Sequence, residues 1–201
     1  KSSQTKIKDE EEVNDEYDEK DLRTHIQDTP DTYAGSDSEI DDCLPVIIDG
    51  KIVFKNVKII PVLYNMFNEG IVNARDQRER LNGKKDSVPV TEIKVECDPE
   101  KGIISIYNNG DGIKIEKHSK SGVYNPELIF GRLLTSSNYK KNQKRTVGGK
   151  NGYGAKIINI FSEYMDIETV DRITGQKYNQ HFHENMKKID YPIIKKSKLK
   201  P

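Results

Sequence analysis

Gly148-Gly149-Lys150-Asn151-Gly152-Tyr153-Gly154-Ala155-Lys156 packs four glycines into its first seven residues. Glycine backbone takes positive φ without steric cost and lets a ligand come close. The apolar run Ile157-Ile158-Asn159-Ile160-Phe161 follows and reads as a helix. A glycine-rich loop opening into a helix N-terminus aims several unpaired N–H groups at one spot, which suits a phosphate. Lys156 falls in the first helical turn, where a cation opposes the helix dipole. A bound polyanion removes that objection. The loop is not a Walker loop, because Ile157 follows Lys156, and it is not Gly-x-Gly-x-x-Gly after a strand. Alone, the same residues also read as a flexible surface loop.

Three other groups carry usable chemistry. Glu69 and Asn73 stand four apart and share one helix face. A carboxylate beside an amide can position water and ligate a hard cation through oxygen, although such pairs are also routine on solvated faces. Asn108-x-Gly110-x-Gly112 sits at a strand end. The Asn amide offers a donor and an acceptor together, the pattern that adenine's amine and ring nitrogen require. The bland alternative is an Asn-Gly turn. Thr135-Ser136-Ser137-Asn138 offers hydroxyls and an amide to ribose or phosphate, or caps a helix.

These groups need elements to hold them. Asp18–Asp28 reads as a short helix ended by Pro30. Runs at 44–48 and 51–54 flank Asp49-Gly50, the strongest short-range hairpin signal in the chain. Pro61 opens a helix whose apolar residues keep helical spacing to about 82, with Gly83 to cap it. Strands at 90–97 and 103–107 form a hairpin around Asp98–Gly102. A helix spans Pro126 to Leu134, and residues 135–150 form a long basic loop. A last hairpin, 164–170 with 177–183, turns at Thr174-Gly175, and the tail from Met186 shows no period. Four regions follow: a disordered acidic arm at 1–18, a strap and hairpin at 19–60, a nucleotide-binding domain at 61–185, and a tail at 186–201 leading to a missing remainder.

Composition narrows the classes. The 201 residues are 33% hydrophobic and 33% charged, with 33 Lys and Arg against 33 Asp and Glu. Zero net charge gives no footprint for nucleic-acid binding by this region itself. The acidic run at 9–21 and the basic run at 195–200 read as solvated segments. Cys43 and Cys97 lack metal spacing, and with so few cysteines a reducing compartment is expected. No apolar run spans a membrane, so no membrane partner is expected.

In order, the motifs resemble the ATPase region of type IIA DNA topoisomerases, especially the eukaryotic and viral topoisomerase II branch. That branch lies within the gyrase, heat-shock chaperone, histidine kinase and mismatch-repair ATPase superfamily. Pro30-Asp31-Thr32-Tyr33-Ala34-Gly35-Ser36 is similar to the family's Pro-Asp-Thr-Tyr-Ile-Gly-Ser. Asn68-Glu69-Gly70-Ile71-Val72-Asn73-Ala74 is similar to Asp-Glu-Ile-Leu-Val-Asn-Ala, and Ile104–Ile113 to Ile-Ser-Ile-Trp-Asn-Asn-Gly-Lys-Gly-Ile. Leu128–Tyr139 and Gly148–Lys156 are nearly the family's own strings.

The resemblance implies an α/β (α+β) two-layer sandwich of the GHKL or Bergerat type. Its mixed, mostly antiparallel sheet is covered by helices at 61–82, 125–134 and 152–161. ATP and Mg²⁺ are the implied cofactors. Glu69 would be the general base and Asn73 the Mg²⁺ ligand. Asn108, with Gly110 and Gly112, would read adenine, while Ser136, Ser137 and Asn138 would contact ribose and phosphate. Gly149, Lys150, Asn151, Gly152, Tyr153, Gly154, Ala155 and Lys156 would wrap the triphosphate. Tyr17 would reach across a homodimer in an exchange of N-terminal arms, although a stray exposed aromatic is the plain alternative. The implied activity is ATP-driven passage of double-stranded DNA in the nucleus, or in a virus factory or virion if the source is viral. The second ATPase-region domain, with its Gln-x-x-Lys loop, and the cleavage module would lie outside this chain. Gly70 and Asn68 depart from the family string beside Glu69, and Arg75 and Arg78 add positive charge there. Two rivals use the same nucleotide site: a chaperone-like or mismatch-repair clamp, and a partner domain that binds nucleotide without turnover.

Overall fold

The computed structural model describes residues 21–133 and 153–197. Asp21 caps the first helix, α1 (Leu22–Asp28), accepting from the N–H groups of Arg23 and Thr24 at 3.0 and 3.3 Å. Pro30 ends α1 and also opens a second short helix, α2 (Pro30–Tyr33), where its fixed φ suits the first position. The Pro30–Ser36 motif then locks onto the start of α3 (Pro61–Leu81). The amide of Asn65 donates to Ala34 O at 2.6 Å, and Val62 N to Ser36 O at 3.0 Å.

Between them stands the hairpin of β1 (Ile40–Ile48) and β2 (Lys51–Ile59). Asp49 and Gly50 take φ of 50° and 74°, the left-handed pair that a type I′ turn requires. The ladder runs further than apolar runs alone suggest, because Asp41 pairs with Lys58 and Asp42 with Val57. Helix α3 ends at Leu81 with Asn82 as its C-cap, and Gly83 at φ 70° supplies the left-handed residue beyond it.

β3 (Ile93–Asp98) and β4 (Ile103–Asn108) form the second hairpin. Val90, read from sequence as the first strand residue, is instead buried ahead of β3. Helix α4 (Asn125–Gly131) stops before the expected Leu134, because Arg132 turns to extended backbone and its guanidinium returns to Glu127 at 2.6 Å. Helix α5 (Gly154–Ile160) leads into β5 (Tyr164–Asp171) and β6 (Gln176–His183). Then β7 (Lys188–Ile189) and β8 (Ile193–Lys196) both pair with β6, opposite residues 182–183 and 176–179. Residues 188–196, in the stretch expected as a tail without period, thus add two short strands to this sheet. Strands this short carry no period, and pairing alone defines them.

Among the described residues every named strand pairing is antiparallel, in three sheets. Each pairing joins strands adjacent or nearly adjacent in sequence, and no crossover brings a parallel neighbour. The helices α3, α4 and α5 provide the helical layer as expected. Tyr178 and Phe182 of β6 are fully buried with Ile115 and Ile167, and Ile26 of α1 packs with Ile160 of α5. No helix among the described residues is long and apolar enough to cross a membrane.

Candidate nucleotide site

Helix α3 places Glu69, Asn73 and Asp76 on one face by their spacing of four and three. Glu69 and Asn73 are half-buried, and Asp76 is 2% exposed. Sequence reading missed Asp76. Its signal was a third oxygen donor seven residues beyond Glu69 on a face already chosen. The Glu69 carboxyl is held above its ordinary range, first by burial and then by the charge of Asp76. A raised carboxyl is a stronger base near neutral pH. Arg75 and Arg78 are exposed, with Arg75 Nη1 3.8 Å from Asp76 Oδ1 and Arg78 Nη1 3.2 Å from Glu79 Oε1.

Glu69 meets the end of the glycine loop. A Cβ on Gly154, the first residue of α5, would lie 1.9 Å from Glu69 Oε2. Only glycine allows that approach. Gly70, the departure beside Glu69, has a packing reason of its own. A Cβ there would lie 2.3 Å from Ile106 Cδ1 and 3.7 Å from Ile158 Cδ1, so α3 wedges directly between β4 and α5. The mid-helix glycine costs about 1 kcal/mol relative to alanine and lets the tip of Ile106 lie against the helix.

Lys156 is 3% exposed, and burial lowers its ammonium to a pKa of about 8. Tyr153 stacks edge-on with Tyr33 at 5.9 Å, and the Tyr33 hydroxyl bonds His25 Nδ1 at 3.1 Å. The Pro30–Ser36 motif thus links α1 to the residue that opens α5. Ala155 is half-buried beside them.

Asn108 ends β4 half-buried, and its amide nitrogen donates to Asn109 O at 2.9 Å. Asn109 Oδ1 caps Thr91 N and Glu92 N, both at 2.9 Å. Gly112 takes φ 71°, and a Cβ there would lie 1.9 Å from Val170 O, so the turn is pressed onto the end of β5. Gly110 at φ 117° faces Val90 and Leu81 at the end of α3. The structure thus joins Glu69 to Gly154 directly, and the Asn108 turn to β5. Ser136, Ser137, Asn138, Gly149, Lys150, Asn151, Gly152 and Tyr17 lie outside the described residues.

Two hollows on the described surface contain none of these residues. One is lined by Glu163, Tyr164, His181, His183 and Glu184, the other by residues 96–100 with Ile103 and Ser105. Cys43 and Cys97 are free exposed thiols on different hairpins.

Residues 59–184 match the family model described as histidine kinase-, DNA gyrase B- and HSP90-like ATPase. The chain is 43% identical over 189 residues to a DNA topoisomerase 2 of Acanthamoeba polyphaga mimivirus, covering 90% of this chain and 14% of that protein. It is 45% identical over 186 residues to a DNA topoisomerase 2 of Pisum sativum, covering 92% and 12%. Among solved structures, the ATPase region of Saccharomyces cerevisiae topoisomerase II superimposes with a TM-score of 0.86 at 39% identity, covering 92% of this chain and 48% of that one. The ATPase and transducer domains of DNA topoisomerase II from Balamuthia mandrillaris superimpose at 0.85 with 35% identity, covering 91% and 46%. The chain therefore spans a small part of the curated relatives and about half of the solved ATPase regions.

Proposed function

The chain belongs to the histidine kinase-, DNA gyrase B- and HSP90-like ATPase family, and we propose that it is the ATP-hydrolysing gate domain of a type II DNA topoisomerase. In this reading the γ-phosphorus of ATP is attacked by water, Glu69 takes the water's proton, and ADP leaves. Asn108 pairs with adenine. Ser136, Ser137 and Asn138 meet ribose and phosphate, and the loop from Gly149 to Lys156 surrounds the triphosphate. Catalysis is mainly positioning and charge stabilisation, as in phosphoryl transfer generally.

The donors on the α3 face are oxygens of Glu69, Asn73 and Asp76, with no His or Cys, a set that suits Mg²⁺. Among the described residues no group of three or more His, Cys, Asp or Glu is arranged to hold a metal. Mg²⁺ commonly completes its shell with substrate phosphates and water, so Asn73 would hold it together with ATP. When bound, Mg²⁺ neutralises phosphate charge. Double-stranded DNA is the substrate of the full protein, which acts as a homodimer.

The observation that carries this reading is the seat of Gly154 on the Glu69 carboxylate, which puts a carboxyl of raised pKa at the end of the glycine loop. Glu69→Gln in the full protein tests it. Hydrolysis is expected to fall about 10²- to 10⁴-fold, with binding of a non-hydrolysable ATP analogue retained. Hydrolysis at the parent rate would remove Glu69 from the role.

A further inference from the structure

The turn that carries Asn108 is clamped by a charge pair that the hydrolysis reading leaves unused. Asp111 Oδ1 accepts from Val88 N at 2.7 Å and lies 2.8 Å from Arg172 Nε. The backbone N–H of Arg172 donates to Asp111 O at 3.2 Å, and its Nη2 donates to Asp86 O. One arginine thereby ties together the segment after α3, the turn after β4 and the turn after β5. Neighbouring bonds run the same way. Ile113 N donates to Thr169 Oγ1 at 2.9 Å, and Ile115 N to Asp171 Oδ2 at 3.1 Å.

The β3–β4 ladder ends at the pair Ile93 and Asn108. Beyond it, Asn109 holds the near side of the turn through its N–H on Glu92 O at 3.3 Å and its Oδ1 on Thr91 N and Glu92 N, and the Asp111–Arg172 pair holds the far side. The side chains of Arg172 and Asp111 are only 33% and 23% exposed, so water screens the pair less than it would a surface bridge. A hydrogen-bonding amide loses strength steeply when its angle or distance drifts.

We propose that Asp111 and Arg172 are positioning residues that fix Asn108 against the end of β5, and so set affinity and preference for the adenine base. This rests on the reading of Asn108 as the adenine contact. Neither residue touches the α3 carboxylates or α5, so the chemical step is not theirs.

The test uses the full protein that carries this chain, with Asp111→Asn, Arg172→Gln, their double, Arg172→Lys and, in parallel, Asn108→Ala. Asp111→Asn keeps an acceptor for Val88 N and removes only the charge. Each single variant is expected to raise KM for ATP about 3- to 10-fold, with kcat changed less than about twofold, and the double to be no worse than the stronger single. Preference for an ATP analogue over a GTP analogue falls by a similar factor, affinity for tripolyphosphate holds, and Arg172→Lys recovers part of the loss. If Asn108→Ala loses base preference while Asp111→Asn and Arg172→Gln keep it, the positioning role is overturned and the adenine reading stands. If Asn108→Ala itself keeps base preference, the adenine reading falls and takes the proposal with it. A parallel loss of kcat, tripolyphosphate binding and melting temperature would show a general structural role and also overturn the proposal.

Discussion

Lys156 shows how one buried side chain links folding to ligand. Its ammonium is buried in the first turn of α5, and burial brings its pKa down from 10.5 to about 8. The unfolded chain holds that proton more tightly, so between those two values stability rises with pH. The cost of burying the charge is present below about pH 8 and is relieved as pH rises through it. A triphosphate reverses the preference, because it favours the charged form. ATP affinity is therefore expected to weaken as pH rises through about 8. In Lys156→Met that slope is expected to vanish, with weaker binding throughout. Calorimetric titration of a non-hydrolysable analogue from pH 7 to 9.5 reads both, and an unchanged slope in the variant would assign the effect elsewhere. Asp171 behaves oppositely. Burial works against its charge, but the N–H groups of Ile115, Ile173 and Thr174 hold its carboxyl below the ordinary range. Its contribution is present above about pH 4 and is lost as pH falls through the lowered value.

At the scale of elements, close approach decides the architecture. Gly70 lets α3 sit on β4 and α5, Gly154 lets α5 start against Glu69, and Gly112 seats the turn after β4 on β5. Gly112 and Gly102 have similar left-handed φ, 71° and 64°, but Gly102 has open space around it. The pair separates strain from contact. Gly102→Ala is expected to cost about 1 kcal/mol, the price of left-handed backbone alone. Gly112→Ala must also displace the Val170 carbonyl and is expected to cost about 2–4 kcal/mol. Urea denaturation of both variants measures the difference, and equal losses would show that the β5 contact carries no weight.

At the scale of the whole molecule, the acidic arm before Asp21 is the open element. Tyr17 stands thirteen residues before Pro30. Our reading is that ATP closes two copies and that the arm docks through this tyrosine on the partner's nucleotide site. Ordering an arm costs about 1–2 kcal/mol per residue in backbone entropy, so it needs an anchor, and an aromatic ring with a hydroxyl can supply one. In the full protein, a non-hydrolysable ATP analogue is expected to drive closure of the dimer. Deleting residues 1–18, or making Tyr17→Ala, is expected to weaken that closure. Sedimentation and crosslinking of the closed form check it, and unchanged closure after both changes would remove the arm from the mechanism.

The sequence by itself determined the elements whose signals are local. Asp49-Gly50 specified a type I′ hairpin, Pro61 and Gly83 bracketed α3, and Asp98–Gly102 joined β3 to β4, because each depends on backbone preferences of a few adjacent residues. It also carried the motif strings, and through them the ATPase family. Tertiary structure decided what depends on distant neighbours. β7 and β8 exist because β6 offers an edge, not because their residues alternate. Asp76 gains its influence on Glu69 from burial, which no spacing rule reports. Gly70 reads as a weakness in an isolated helix, and its close seat against Ile106 exists only in the packed chain. Asp111 reads as an ordinary turn residue until Arg172, sixty-one positions later, arrives beside it. Burial and charge pairing are properties of the packed chain, and a linear string cannot display them.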